Sequence, residues 1–358
     1  MGPTKAIISK KNLYHNFSYL TDKFEKKISV IAIVKANAYG HGAVEISKIL
    51  SRKKIDYLGV ANIQEANELI DHGIKKRILI LGSISNHEII EAIDKKITFT
   101  VYDIRQLNFI RNIKKKIKIK FHLKIDTGMN RLGISESEID EAILRLKNNS
   151  NLEFEGLYTH LVEADNKKSQ FTQKQLKSFN RIVEKFQDHF KKIKYIHAAN
   201  SSGILNFKKS YFNTVRPGIL LYGLSHNKKL KPVMNLETQI IKLRMIEKGE
   251  SVSYGRTFKA KKKMKIAVIP IGYADGLPRS LSNIGHVYCN GKKCKILGRV
   301  CMDLTMIDVS TIKSVSIDDT VKIFDDTNQS ATQLAKKIKT IPYDIVCGIS
   351  KRVKRIYT

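Results

Sequence analysis

With 358 residues, 42% of them hydrophobic and 27% charged, the chain is too long for one simple core and too balanced for a disordered or fibrous polymer. A formal net charge of +32 would suit a nucleic-acid partner, but the lysines are spread along the whole chain, with short runs at Lys114–Lys116 and Lys261–Lys263. They lack interleaved aromatics, fingers or basic helices, which excludes a dedicated nucleic-acid reader and leaves a solvated basic surface.

Up to about residue 225, β-branched apolar runs alternate with amphipathic ones. In chain order the predicted strands are Val30–Val34, Tyr57–Ala61, Arg77–Leu81, Ile97–Tyr102, Ile117–Ile125, Phe154–His160, Lys194–His197 and Asn213–Leu221. Between them lie helical patterns such as Ala43–Ser51, Ile63–His72, Ser135–Lys147 and Thr172–Phe190. Asn62 ahead of Ile63, Ser135 three residues before Glu138, and Gly73 after His72 supply start and stop signals. Eight strands with intervening helices over this length predict an α/β fold, a (β/α)8 TIM-like barrel over residues 10–225. An open doubly wound sheet would place a glycine-rich turn after its first strand, and none stands there.

From about residue 230 short alternating segments take over: Glu237–Ile246, Lys265–Ile269, His286–Tyr288, Lys295–Leu297, Thr305–Val309 and Thr320–Ile323. They predict a mostly β C-terminal domain over residues 226–358, joined by a strand from residues 1–9. No apolar run approaches the roughly 18 residues of a membrane span, and the N-terminus has no signal-like apolar core, so a cytoplasmic location without membrane partners is expected. The four cysteines form neither a CxxC pair nor a disulfide framework. Histidines in HxxxH or HxH spacing are lacking, so no metal site is expected.

Chemistry concentrates at the ends of the predicted strands, where a barrel of this kind carries its active site. Lys35 follows the first strand, among small residues and close to Tyr39. A lysine there suits a Schiff base with pyridoxal 5′-phosphate, although most lysines at strand ends only point into water. Ser201 follows the seventh strand, and Gly218 and Ile219 lie in the eighth, on the loops that hold phosphate in such barrels. A hydroxyl and backbone N–H groups there suit a phosphate dianion. Arg216 would meet the pyridine nitrogen; a guanidinium cannot accept a proton and would leave that nitrogen neutral. An arginine at this position equally suits a strand-end ion pair.

The segment Val34-Lys35-Ala36-Asn37-Ala38-Tyr39-Gly40-His41-Gly42 resembles the cofactor-lysine motif of bacterial alanine racemases, and further motifs follow in family order as far as Tyr343. The resemblance implies a pyridoxal-phosphate barrel followed by a β domain, working as a head-to-tail homodimer with shared sites. It implies interconversion of L- and D-alanine by two bases, with D-alanine supplied to peptidoglycan. Lys35 would be one base. Tyr254, in Val252-Ser253-Tyr254-Gly255-Arg256-Thr257-Phe258, would be the other, reaching the site from the second chain. Tyr39 and Tyr343 match residues near the phosphate. In Lys124-Ile125-Asp126-Thr127-Gly128-Met129-Asn130-Arg131, Arg131 would meet the substrate carboxylate and Lys124 matches a lysine that is often carbamylated. Met302 matches a residue whose backbone contacts substrate from the partner chain, and Tyr273 would line the entry. His160 would orient Arg216, and His197 would stack on or pack beside the cofactor ring.

Departures from the family pattern are Glu163, where a small or neutral residue is usual, a missing proline in Lys351–Arg355, and the net charge of +32, unlike that of typical members. Two other readings stay open on the residues. A sister racemase or decarboxylase on the same fold is one, and Arg216 argues against the decarboxylase. A noncatalytic cofactor carrier or polyanion binder is the other, disfavoured by a complete β domain carrying Tyr254 and Met302.

Overall fold

The computed structural model describes residues 2–24, 27–114, 117–147, 149, 151–225 and 227–358. Lys115 and Lys116 of the expected basic run, and Met1 and His226 at the expected domain edges, lie outside the described residues. The chain divides into two compact units, one made of residues 22–38 and 43–218, the other of residues 1–21, 39–42 and 219–358. Strands are numbered in chain order, and β1 (Lys5–Ile8) belongs to the second unit.

In the first unit eight parallel strands form a nearly closed barrel: β2 (Ser29–Ile33), β3 (Tyr57–Val60), β4 (Ile78–Ile80), β5 (Thr98–Val101), β6 (Ile119–Lys124), β7 (Leu152–Tyr158), β8 (Tyr195–His197) and β9 (Thr214–Val215). Each pairs with the next in order, and β9 returns to β2 through Ser29↔Thr214 and Val30↔Val215. Between β8 and β9 the closure rests on backbone bonds, Asn213 N–H to Ile196 C=O at 3.4 Å and Arg216 N–H to Ala199 C=O at 3.0 Å. Strands covered on both faces read as unbroken apolar runs, which is why Ser-Val-Ile-Ala-Ile in β2 is buried from Val30 onward.

The outer helices follow their sequence signals. Ile139, Ala142, Ile143 and Leu146 are the buried stripe of the helix Ile139–Leu146, at a spacing of three and four. Ser85 and Glu88 close a reciprocal cap on the helix Asn86–Asp94, between β4 and β5.

The eighth strand departs from expectation. It spans Thr214–Val215 rather than Asn213–Leu221, so Gly218 and Ile219 lie beyond it instead of within it. Pro217 has no N–H to continue a ladder, and the chain turns, with Tyr222 N–H closing on Ile219 C=O at 3.2 Å.

The second unit is built on a nine-stranded sheet in the order β11-β14-β17-β16-β15-β18-β10-β1-β19. Its members are β10 (Met234–Gln239), β11 (Lys242–Ile246), β14 (Met264–Ile269), β15 (His286–Cys289), β16 (Lys292–Leu297), β17 (Thr305–Asp308), β18 (Thr320–Phe324) and β19 (Lys354–Tyr357); β12 (Ser251–Val252) and β13 (Phe258–Lys259) pair separately. The expected strand Glu237–Ile246 is thus two strands. They break at Ile240 and Ile241, whose amides bond to Asp319 and Val268 on different neighbours. No helix among the described residues is long and apolar enough to cross a membrane.

Candidate active site

Lys35 leaves β2 at the C-terminal mouth of the barrel, and the backbone after it is unusual. Ala36, Asn37, Ala38 and Tyr39 all have φ near +52° (52°, 53°, 52° and 52°), a left-handed turn made of non-glycine residues. Such a turn costs roughly 1–2 kcal/mol per residue and persists only where its surroundings hold it. Glu65 supplies part of that hold: its carboxylate accepts from Ala36 N–H and from Ala61 N–H, each at 2.7 Å. The Asn37 side chain accepts from Ala43 N–H at 2.8 Å.

Arg216 is 4% exposed, and among the described residues no carboxylate pairs with it. It donates instead to the carbonyls of Thr159 (2.8 Å), His197 (3.0 Å) and Ala198 (3.1 Å), and lies 3.4 Å from His160 Nδ1. Burial lowers its guanidinium to about 10, still a full cation near neutral pH. Its Nη1 also donates to His197 Nδ1 at 2.7 Å. A guanidinium can only donate, so neutral His197 carries its proton on Nε2 and passes a hydrogen bond to His122 Nδ1 at 2.9 Å. Burial holds His122 down, to about 3, and burial followed by the Arg216 charge holds His197 well below the ordinary histidine value. Both rings are therefore neutral. Tyr158 stacks on one face of the His197 ring, with centroids 4.6 Å and planes 5° apart.

The chain of polar contacts continues toward the other end of the barrel. His122 packs against the rings of Tyr57 and Tyr195, Tyr57 OH donates to Glu155 at 2.5 Å, and Arg77 forms an ion pair with Glu155 while donating to Tyr195 OH at 3.2 Å. Burial would raise the Glu155 carboxyl, but the Arg77 and Tyr57 hydrogen bonds outweigh it and leave it lowered.

At the same C-terminal mouth Lys124 ends β6 and is 4% exposed. Burial, then the charge of Arg131, pushes its amine down to about 8. The loop carrying Arg131 is shaped by Asp126, which accepts from the amides of Gly128 (2.7 Å), Met129 (2.9 Å) and Arg131 (3.2 Å). Lys35 belongs to the same electrostatic cluster, since its charge helps lower both Lys124 and His160. Ser201 Oγ accepts from Gly218 N–H at 2.9 Å. That amide is committed, and the Ser201 O–H is the group left to donate. The barrel unit thus brings together Lys35, Lys124, Arg131, His160, His197, Ser201, Arg216 and Gly218.

The β-rich unit assembles the rest. Tyr39 packs against Tyr222 (centroids 5.0 Å) and Tyr343 (5.7 Å). The carbonyls of Gly40 and His41 accept from Arg355 Nε at 3.0 Å and Tyr357 OH at 3.0 Å. Both glycines are required here: φ is +79° at Gly40 and +95° at Gly42, and a Cβ would lie 1.9 Å from Val346 O or 1.8 Å from Tyr357 Oη. Tyr273 and Met302 lie on adjoining segments, with Tyr273 N–H on Cys301 C=O and Ala274 N–H on Met302 C=O, both 3.0 Å. Tyr254 occupies a short turn and is 70% exposed; Met302 is 53% and Tyr273 44% exposed. Ile219 lies in the turn after β9.

Glu65, Asn37, His122 and Arg355 escaped the sequence reading. Glu65 had left a trace, standing three residues after the helix-capping Asn62 as in a reciprocal cap, but its carboxylate turns to Ala61 and Ala36 instead.

Residues 8–226 match the family model of the alanine racemase N-terminal domain, and residues 233–357 match that of the alanine racemase C-terminal domain. This chain belongs to the alanine racemase family. It is accordingly an enzyme, of the isomerase class. Alanine racemase 2 of Caldanaerobacter subterraneus subsp. tengcongensis is 39% identical, over 99% of this chain and 95% of its own length. The alanine racemase of Treponema denticola is 40% identical over 100% and 98%. Among solved structures, alanine racemase of Clostridium difficile 630 superposes with a TM-score of 0.94 at 34% identity, covering 100% of this chain and 96% of that one. The alanine racemase fold of a barrel and a mostly β domain is thus the fold described above.

Proposed function

We propose that this enzyme interconverts L- and D-alanine with pyridoxal 5′-phosphate, by two bases, in a homodimer whose sites take residues from both chains. The observation that carries the reading is the buried, carboxylate-free Arg216 beside His160 and His197 at the lysine-bearing mouth of the barrel. The donors present fit the cofactor: an amine at a strand end, a serine hydroxyl with its proton free to donate, and a cation that cannot take a proton from or give one readily to a pyridine nitrogen.

When bound, pyridoxal 5′-phosphate supplies an electron sink for the α-carbon of the amino acid. Lys35 would hold it through its amine. Ser201, Tyr39, Tyr343 and the Ile219 amide would hold the phosphate, with Gly218 acting through its bond to Ser201 Oγ, and His160 and His197 would keep Arg216 toward the ring nitrogen. Arg216, unable to give up a proton readily, would favour proton removal and return over decarboxylation. Arg131 receives the substrate carboxylate. Lys124, with its amine lowered to about 8, has far more neutral amine than an ordinary lysine and so suits carbamylation, which would set a negative group beside Arg131. Lys35 moves the α-proton on the D face. Tyr254, contributed by a second copy of the chain with Met302 and Tyr273 at the entry, moves it on the L face; the exposure of all three in a single chain supports that sharing. A cytoplasmic enzyme of this kind supplies D-alanine to peptidoglycan.

The test is incubation of the purified protein with L-alanine in deuterated water, following optical rotation and α-hydrogen exchange. Loss of rotation with deuterium incorporation is expected. Exchange without inversion would remove the second base from the scheme, and neither signal from cofactor-loaded protein would overturn the assignment of alanine.

A further inference from the structure

The end of the barrel opposite Lys35 holds a second cleft that the racemase reading does not use. Its volume is about 730 Å³, within the size range of small-molecule sites, and it opens where β3, β4 and β8 begin. Six of its twelve lining residues are Lys48, Arg52, Lys75, Lys76, Arg77 and Lys194. Half of the wall is therefore basic.

The counter-charges do not match these cations. Lys48 pairs with Glu45 and Arg77 with Glu155. Asp56, the one carboxylate in the lining, accepts from Val30 N–H at 3.1 Å. Among the described residues, Arg52, Lys75, Lys76 and Lys194 have no carboxylate within ion-pair distance. The helices Ala43–Ser51 and Ile63–Asp71 end nearby, and their dipoles contribute roughly half a negative charge each, too little to balance four cations. Two of the four are located by contacts: Lys76 Nζ donates to Ile55 C=O at 3.3 Å, and Lys194 Nζ sits 5.2 Å from the Tyr195 ring centre. Tyr195 is the one aromatic residue in the lining and is itself buried, so there is no stacking platform for a base.

We propose that this cleft binds a compact, multiply charged phosphate chain of the inorganic di- or triphosphate class. Basic side chains with no carboxylate partner, lining one concave surface, suit phosphate oxygens, and the lack of an aromatic platform favours a small polyanion over a nucleic-acid strand.

The experiment titrates inorganic triphosphate into cofactor-loaded enzyme by calorimetry at fixed ionic strength. Cofactor loading keeps the catalytic phosphate site out of the measurement. Saturable binding at one site per chain is expected. A K75Q/K194Q variant should weaken it at least tenfold, while K261Q/K262Q, which removes the same charge from the remote basic run, should leave it within twofold. Racemase activity and thermal midpoint in both variants serve as the check on folding. Equal weakening by the two double variants would mean diffuse adhesion to a basic surface, and the proposal would fail. It would fail equally if triphosphate gave no saturable heat.

Discussion

His197 takes a hydrogen bond from Arg216 on one nitrogen (2.7 Å) and hands one to His122 from the other (2.9 Å), so a cation at the mouth of the barrel dictates the tautomer of two buried rings behind it. The direction of every proton in that chain follows from the guanidinium having nothing but donors.

The first consequence is a pH dependence of stability. His122 and His197 have folded values below the unfolded one of about 6.5, so below that pH the unfolded chain binds protons that the native chain refuses. Their contribution is complete above about pH 6.5. It is lost as pH falls, down toward the folded value of about 3 for His122. The expected slope is about 1.4 kcal/mol per pH unit for each ring between roughly pH 6 and 5. Urea unfolding over that interval should show a shallower slope in His122→Gln; an unchanged slope would mean the ring is protonated in the native state.

Arg216→Ala should be costly twice over. It strips the donor from the carbonyls of Thr159, His197 and Ala198 and leaves a cavity, with an expected loss of about 3–5 kcal/mol. Racemisation should fall by a factor on the order of 10² or more if Arg216 is the ring-nitrogen partner proposed above. Denaturant titration and initial rates on the same preparation separate the two effects. A variant that is less stable but equally active would remove Arg216 from the chemistry.

Glu65→Gln tests the hold on the left-handed turn. One amide oxygen cannot replace a carboxylate that accepts from two backbone N–H groups at 2.7 Å, and about 1–3 kcal/mol should be lost. Because that turn carries Lys35, retention of cofactor after gel filtration, read from its visible absorbance, should fall as well. Full retention would show that the turn holds without Glu65.

Tyr254→Phe should separate the two directions of the reaction. Proton removal from L-alanine is expected to slow by about 10²–10⁴, while deuterium exchange into D-alanine, assigned to Lys35 in the proposed scheme, should persist. Equal slowing in both directions would contradict the assignment of faces.

Lys124→Ala should raise KM for alanine about tenfold or more, the scale of one charged hydrogen bond lost through Arg131, with a smaller effect on kcat. Carbon-13 bicarbonate should give a carbamate signal in the parent enzyme that disappears in this variant. A signal that survives there would place the carbamate on another lysine.

Much of this molecule was legible from the chain alone, because periodicity and local motif are properties of contiguous residues. Eight apolar runs separated by helical patterns define a parallel barrel, since only strands covered on both faces read that way, and the segment around Lys35 identifies the family. The eighth strand and the Glu237–Ile246 run were misjudged for the same physical reason. A β-branched composition marks residues that suit an extended conformation, whereas the ladder ends where a neighbour stops pairing, as at Pro217 and at Ile240. Long-range partners left no local trace. Nothing adjacent to Ala36 predicts the Glu65 carboxylate twenty-nine residues on, and nothing near Arg216 predicts that His197 and then His122 receive its hydrogen bond. Residue types and their order determined the fold class and the chemistry that the site could hold. Burial, which lowers Lys124 to about 8 and keeps two histidines neutral, exists only once the barrel has closed around them.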